Sequence, residues 1–235
     1  MLKSVELLIN LGYSKKEAEA IISSFTIVNL KDETLCKNIT KNFNYLIGLG
    51  YTKVDVIKMT KSFPSLYSYS KETIEDKISF LISLGYTKTD VIKMTKLLPA
   101  LYGLSKENIE EKITFLMSLG YTKSDVINMT KSLPALYSYS KENMEEKIKY
   151  LKEIGLESIV INDTKKLMQS AHLTYSKYEF LTKEKGISID EFNYKKLFYS
   201  ETMFKKQYGV SKDVLLKKYN YEDYKEKKKC LIKKC

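Results

Sequence analysis

Lysine side chains recur at fixed positions along this sequence, and an ammonium group can neutralise a phosphate of a nucleic acid. The recurring positions are Lys58 and Lys61, then Lys93 and Lys96, then Asn128 and Lys131. At about 100° per residue, Lys58 and Lys61 would lie on the polar side of a helix. Because solvation of a polar face also explains such lysines, the pattern leaves phosphate contact and simple solvation open.

A second recurring set lies where charge is normally excluded. Lys77, Lys112 and Lys147 fall within the apolar arc of a predicted helix. In one interpretation the aliphatic stem is buried and the ammonium group hydrogen-bonds carbonyl groups at a proline turn. In the other, these lysines line a concave wall and contact a nucleic acid. Lys205 and Lys206, in the C-terminal third, are further candidates for phosphate contact.

The charge of the chain favours a polyanionic partner. The formal net charge is +11 and the pI is near 9.2. All 40 basic residues are lysine, and the absence of arginine, which reads guanine edges with a planar fork, argues against sequence-specific DNA recognition. The basic excess is largest in residues 156–235, which hold 18 lysines and 11 acidic residues.

Residues suited to catalysis or cofactor binding are not evident. The sole histidine, His172, has no recurring partner, and the sequence has no phosphate loop or nucleophile elbow. Cys36, Cys230 and Cys235 lack metal-ligand spacing. We therefore expect no enzymatic activity, no cofactor and no metal site. No membrane span, signal peptide or transit peptide is evident, so we expect a cytoplasmic protein without a membrane partner.

An internal repeat predicts the elements that would position the lysines. Clear copies occupy residues 49–83, 84–118 and 119–153, and a degenerate copy lies on each side. Thr52, with Asp55 three residues later, is a capping signature that begins a first helix, helix A, over residues 53–62. Pro64 then ends helix A. The equivalent residues are Thr87, Asp90 and Pro99 in the second copy and Thr122, Asp125 and Pro134 in the third.

The second helix of each copy, helix B, is predicted to begin at a serine cap, Ser70 in the first clear copy. Its apolar residues at helical spacing are Ile74, Ile78, Leu81 and Ile82. Gly85 is expected at a left-handed position that ends the helix, with Tyr86 packing back on the helix end.

Tyrosines follow each proline, and packing within or between repeats is their expected role. They are Tyr67, Tyr102 and Tyr137, with Tyr69 and Tyr139 close by. If these rings were exposed, they could stack on the bases of a single strand.

Because one repeat cannot bury the apolar stripes of both its helices, neighbouring repeats must stack. The expected fold is an all-α superhelical solenoid of about five two-helix repeats, of either handedness, with a helical C-terminal cap. We expect repeats over residues 1–187, capping helices over 188–224 and a basic tail over 225–235. That tail could be a solvated, disordered end or a phosphate-binding arm.

The repeat resembles that of the mitochondrial transcription termination factor (mTERF) family. The residues that carry the resemblance are the Leu49–Gly50 pair, the V-I-x-M run of helix A, the P-x-L of Pro64–Leu66 and the K-x-x-F-L of Lys77–Leu81. Residues Lys196–Tyr208 are similar to the closing element of the family. The resemblance implies a curved superhelix whose concave, basic side holds duplex nucleic acid. It also implies a role in organellar gene expression, in transcription termination, DNA binding or ribosomal RNA maturation, in one case by docking a methyltransferase.

Charge and resemblance together predict a protein that binds double-stranded nucleic acid, either DNA or structured RNA, through lysine–phosphate contacts in gene expression or its regulation. The alternative is a protein-interaction scaffold whose groove holds a partner protein. The acidic residues of helix B, such as Glu107 and Glu110, would suit that alternative.

Overall fold

The computed structural model describes residues 2–25 and 31–232, and every regular element within these ranges is helical. The α-helices are α1 (Lys3–Asn10), α2 (Lys15–Ser23), α3 (Asp32–Leu49), α4 (Lys53–Ser62), α5 (Lys71–Leu84), α6 (Lys88–Leu97), α7 (Lys106–Ser118), α8 (Lys123–Ser132), α9 (Lys141–Glu153), α10 (Ser158–Asn162), α11 (Ala171–Glu179), α12 (Glu201–Tyr208), α13 (Lys212–Lys218) and α14 (Tyr221–Ile232). The prediction of an all-α repeat fold is confirmed.

The chain forms two compact units, Met1–Ser138 and Tyr139–Cys235. The division falls inside the third clear copy, residues 119–153, so it does not coincide with the boundary expected after residue 187. The predicted domain bounds therefore stay a prediction. In the first unit the helices A are α2, α4, α6 and α8, and the helices B are α3, α5 and α7.

Helix A begins and ends as the sequence predicts. In α4 the hydroxyl oxygen of Thr52 accepts a hydrogen bond from the Asp55 amide (3.1 Å), and the Asp55 carboxylate accepts one from the Thr52 amide (2.9 Å). The same reciprocal cap begins α2, α6 and α8. Each clear copy of helix A ends two residues before its proline, which opens a short 3-10 turn such as Pro64–Ser68.

Helix B also follows its predicted signals. The Ser70 hydroxyl accepts from the amide of Thr73 (3.1 Å) and caps α5. The helix ends at Gly85, whose φ of 115° is in the left-handed region, and the Tyr86 amide donates to the Leu81 carbonyl (3.3 Å). Ile82, however, is 44% exposed and does not belong to the buried stripe.

Successive repeats are joined by buried hydroxyl groups. The Tyr51 hydroxyl, from the turn that precedes α4, hydrogen-bonds Thr95 in α6 (2.6 Å) and Tyr102 in the 3-10 turn that follows α6 (2.8 Å). Equivalent triads are Tyr13 with Thr60 and Tyr67, and Tyr86 with Thr130 and Tyr137. The Tyr86 amide bonds back to the end of its own helix while its hydroxyl group reaches the next repeat, and packing of its ring on the helix end stays a prediction. A satisfied buried network of this kind fixes the register between repeats.

The second unit repeats the turn-and-helix pattern beyond the predicted repeats. A 3-10 turn, Tyr194–Phe198, is followed by Ser200, whose hydroxyl accepts from the Met203 amide (3.2 Å) and caps α12. The segment Lys196–Tyr208 is therefore built like the proline turn and helix B of an earlier repeat, although it has no proline.

Of the two alternatives for the basic tail, the disordered end does not describe residues 225–232, because α14 runs through them to Ile232. The Tyr221 ring packs edge-on against Tyr150 (5.4 Å between ring centroids), and the Lys225 ammonium group pairs with the Glu146 carboxylate (2.6 Å). Lys228 likewise pairs with Glu153, so α14 packs on α9 through one buried aromatic ring and two ion pairs. Residues 233–235 lie outside the described residues.

Candidate nucleic-acid interface

The helices A of the first unit pack directly on one another, α2 on α4, α4 on α6 and α6 on α8. Their solvent faces therefore lie side by side. Lys58 on α4 and Lys93 on α6 are exposed at equivalent positions, and Asn128 is exposed at the same position of α8. Among the residues that the structure describes, neither Lys58 nor Lys93 forms an ion pair. We call Lys58, Lys93 and Asn128 the outer row.

Lysines three residues further along each helix form a second row, the inner row, of Lys61, Lys96 and Lys131. Each pairs with the acidic residue of the capping box of the preceding repeat. The pairs are Lys61 with Glu17, Lys96 with Asp55 (2.7 Å) and Lys131 with Asp90 (4.0 Å). The sequence pattern did not predict these pairs, because the partners are about 40 residues apart and meet only when helices A stack.

The electrostatics of the capping carboxylates differ with their partners. The hydrogen bond from Lys96 lowers the pKa of Asp55 to about 2, and the bond from Lys61 lowers the pKa of Glu17 to about 2. At Asp125, hydrogen bonds from Thr122 alone lower the pKa. The hydrogen bonds of the capping box thus lower the pKa of its carboxylate with or without a lysine, and a lysine partner lowers the pKa further.

Two lysines of helix B predicted as possible nucleic-acid contacts are engaged inside the protein instead. Lys77 is 7% exposed and donates to the carbonyl of Leu104, just after the next proline turn. Lys147 is also 7% exposed and donates to the carbonyl of Leu167 (2.8 Å). Burial lowers the pKa of both ammonium groups. Of the two interpretations, the one in which the ammonium group hydrogen-bonds a carbonyl describes Lys77 and Lys147. We therefore remove both lysines from the candidate interface. Lys112, at the equivalent position, is half-buried.

Two further members of this buried set were missed by the sequence analysis. Asn42, 35 residues before Lys77, donates from its amide nitrogen to the carbonyl of Tyr69 (2.8 Å). Lys177 is 1% exposed and donates to the carbonyl of Tyr199 (2.7 Å) and to the side chain of Gln169 (3.0 Å). Burial lowers the pKa of Lys177 to about 8. Its position seven residues after a serine cap, the same as for Lys77, was a usable signal.

The tyrosines after each proline do not form a base-stacking surface. Tyr67, Tyr102 and Tyr137 are each at most 2% exposed, and Tyr69 and Tyr139 are half-buried. The packing role expected for Tyr67, Tyr102 and Tyr137 is confirmed.

Lys205 and Lys206 are exposed on α12, in the second unit. The nearby Lys212 ammonium group pairs with the Glu201 carboxylate (2.8 Å). They stay candidates for phosphate contact.

Within residues 2–25 and 31–232, no cluster of His, Cys, Asp and Glu has a geometry that could hold a metal ion. No helix in those ranges is both long and apolar enough to cross a membrane. His172 stacks on the Tyr221 ring (6.4 Å between centroids).

Comparison with curated proteins finds no match. The mTERF family model matches residues 1–162, well over half of the chain and all three of its proline-containing repeats. The match ends before Lys196–Tyr208, so the similarity of that segment to the closing element of the family stays a prediction. Proteins of this family are helical-repeat proteins that generally bind nucleic acids and are generally not enzymes. The chain belongs to the mTERF family.

Proposed function

We propose that this protein binds double-stranded nucleic acid, DNA or structured RNA, through contacts between phosphates and the lysines of helices A. The observation that carries the proposal is the outer row: Lys58 and Lys93 are exposed and unpaired at equivalent positions of two helices that pack together. A row of ammonium groups held by a repeat scaffold suits a polymer whose charges also recur at regular intervals.

The spacing of the rows supports contact with a backbone. Packed helices lie about 10 Å apart, so Lys58 and Lys93 are separated by roughly one step of that size. Lys61 and Lys96 lie one turn along the same helices and add a second ammonium group to each step, although each is paired with a carboxylate of the preceding repeat. Contacts of this type set the position of a protein on a duplex without reading bases. The absence of arginine agrees with such shape-based recognition.

The burial of the tyrosines favours a duplex over a single strand. Single-strand binding relies on aromatic side chains that stack on unpaired bases. Tyr67, Tyr102 and Tyr137 are instead committed to the hydroxyl networks between repeats or to the core. Binding of a duplex by backbone contacts fits a role in gene expression or its regulation.

The test is the salt dependence of binding to a short duplex, followed by fluorescence anisotropy. Each neutralised phosphate contributes about −0.9 to the slope of log affinity against log salt on B-form DNA. Changing Lys58, Lys61, Lys93 and Lys96 together to Gln should flatten that slope by roughly two to four units. Sequence preference should change little.

A control variant with the same net charge shows whether binding depends on the positions of the helix A lysines or only on the total charge. Lys37, Lys41, Lys71 and Lys106 are exposed on helices B of the same unit or at their first residues. Changing these four to Gln removes the same charge but leaves the helix A rows intact. If both variants lose the same slope, or if the wild type does not bind at low salt, the proposed interface is wrong.

A protein scaffold is the second candidate, favoured by the opposite helices of the same unit. Exposed carboxylates recur on α5 and α7, at Glu75 and Glu110, and an exposed apolar residue follows seven positions later in each, at Ile82 and Met117. This surface suits a basic, amphipathic protein segment. Retention of a partner protein that is lost only after Glu75 and Glu110 are changed to Gln would move this function ahead.

A further inference from the structure

The capping boxes of the first unit perform two tasks that can be separated. At Asp55, one carboxylate oxygen accepts from the Thr52 amide (2.9 Å) and the Thr52 hydroxyl (2.7 Å), and it also meets the Lys96 ammonium group (2.7 Å). The two bonds from Thr52 belong to the cap of α4. The lysine belongs to the next repeat.

Asp125 shows that the cap does not need the lysine. Its carboxylate accepts from the amide (2.9 Å) and hydroxyl (2.6 Å) of Thr122, as at Asp55, and it forms no ion pair within residues 2–25 and 31–232. The lysine contact is therefore an addition to the capping box, present at Glu17, Asp55 and Asp90.

We propose that Asp55 and Asp90 limit the affinity of the interface for nucleic acid by holding Lys96 and Lys131 against the preceding repeat. The inference rests on the proposed function. The side chains of Lys96 and Asp55 are 33% and 22% exposed, so a phosphate can reach the lysine. Ion pairs with this exposure are weak and exchange readily. A phosphate that takes the lysine leaves an uncovered carboxylate beside it, and this repulsion opposes binding.

Replacing both carboxylates by amides should free the lysines without removing the caps. Asn keeps a side-chain oxygen that can accept from the Thr52 or Thr87 amide. Asp55→Asn with Asp90→Asn should raise the affinity for a duplex by roughly 3- to 20-fold at fixed salt. The salt slope should steepen by about one to two units, since two more ammonium groups are available to phosphates.

Two controls distinguish this effect from simple loss of negative charge. Asp125→Asn removes a carboxylate from an equivalent capping box that has no lysine partner, and it should raise affinity much less than Asp55→Asn alone. In a background of Lys96→Gln with Lys131→Gln, the two Asp→Asn changes should have almost no effect.

The measurement is anisotropy titration of a fluorescent duplex at several salt concentrations, with thermal unfolding of each variant to establish that it is folded. Equal gains from Asp125→Asn and Asp55→Asn, or a gain that persists in the Lys→Gln background, would overturn the inference. So would a loss of affinity in a folded Asp55→Asn variant, because the carboxylate would then position the lysine rather than withhold it.

The outcome is distinguishable from failure of the proposed function. If the wild type does not bind a duplex, or binds independently of Lys58 and Lys93, the proposed interface itself fails. If the wild type binds through these lysines and the Asp→Asn variants match it, only the inference about Asp55 and Asp90 fails. Should the double variant not fold, the single variants Asp55→Asn and Asp90→Asn carry the same comparison with Asp125→Asn.

Discussion

Helix A and helix B use the same residue type in opposite ways. Lys58 and Lys93 on helices A are exposed and unpaired, whereas Lys77 on helix B and Lys177 on α11 are buried and donate to backbone carbonyl groups. Lys58 and Lys93 recur at the repeat spacing, and so does Lys77 with Lys112 and Lys147. Recurrence alone therefore does not identify a binding lysine, and the local environment of each ammonium group decides its role.

The buried set has a structural reason that the exposed set lacks. A 3-10 turn leaves carbonyl groups that no helix satisfies, and a buried unpaired carbonyl is costly. The long side chain of a lysine reaches from helix B to the turn of the next repeat and supplies the missing donor. Asn42 does the same with an amide, which shows that the position requires a donor and not a charge.

The largest expected effect comes from removing the most deeply buried lysine. Lys177→Ala removes three buried methylene groups, worth roughly 2.4 kcal/mol, and leaves the Tyr199 carbonyl unpaired, which costs about 1–3 kcal/mol. Relief of the buried charge returns about 3 kcal/mol. The net loss should be about 0.5–2.5 kcal/mol in the unfolding free energy of the second unit, measured by urea denaturation.

The control for this variant is Lys183→Ala, since Lys183 is exposed and its ammonium group pairs with the carboxylate of the half-buried Glu179. A surface pair of that kind should change stability by less than about 1 kcal/mol. Equal losses from Lys177→Ala and Lys183→Ala would mean that burial does not separate the two kinds of lysine.

The pH dependence of stability should sharpen the same comparison. The pKa of Lys177 is about 8 in the folded protein and 10.5 in an unperturbed lysine, because burial disfavours the charged form while nearby Glu201 and Lys212 have smaller, opposing effects. Between these values the unfolded chain binds more protons than the folded one, so stability rises with pH. We expect a gain of about 1–2 kcal/mol between about pH 7.5 and 9.5.

This window lies below the titration of the buried tyrosines. Burial raises the pKa of Tyr150 above its usual value, so the stability it contributes is lost only above about pH 10. The difference between the unfolding free energies of the wild type and of Lys177→Met gives the contribution of the lysine at each pH. If this difference does not change across the window, Lys177 is not in the buried environment described.

Local signals in the sequence predicted most of the fold. The cap at Thr52, the stop at Pro64 and the glycine at Gly85 each act within about five residues, and each is found where it was expected. What the sequence could not supply is the register between repeats. The hydroxyl group of Tyr51 bonds to Thr95 and Tyr102, which lie 44 and 51 positions further along the chain, and only stacking of the repeats brings them together.

The candidate interface was predicted only in part, for the same reason. The polar face that contains Lys58 and Lys93 follows from helical periodicity. The pairing of Lys96 with Asp55 depends on how helices A stack, and so does the burial of Lys77 against the turn that precedes α7. The position of Lys77 inside the apolar arc of helix B was the available sequence signal, and it indicated burial correctly.

The smallest expected effects come from one buried and one exposed lysine of the first unit, Lys77 and Lys93. Lys77→Met keeps the stem but leaves the Leu104 carbonyl without its donor, so we expect a loss of about 1 kcal/mol and no change in the salt slope of duplex binding. Lys93→Met removes an exposed charge, so stability should stay within about 0.5 kcal/mol while the slope flattens by about 0.9. Urea denaturation should therefore detect the change in Lys77→Met, and anisotropy titration the change in Lys93→Met. If Lys93→Met destabilises the fold or Lys77→Met weakens the salt dependence, helix A and helix B do not divide binding and structure between them.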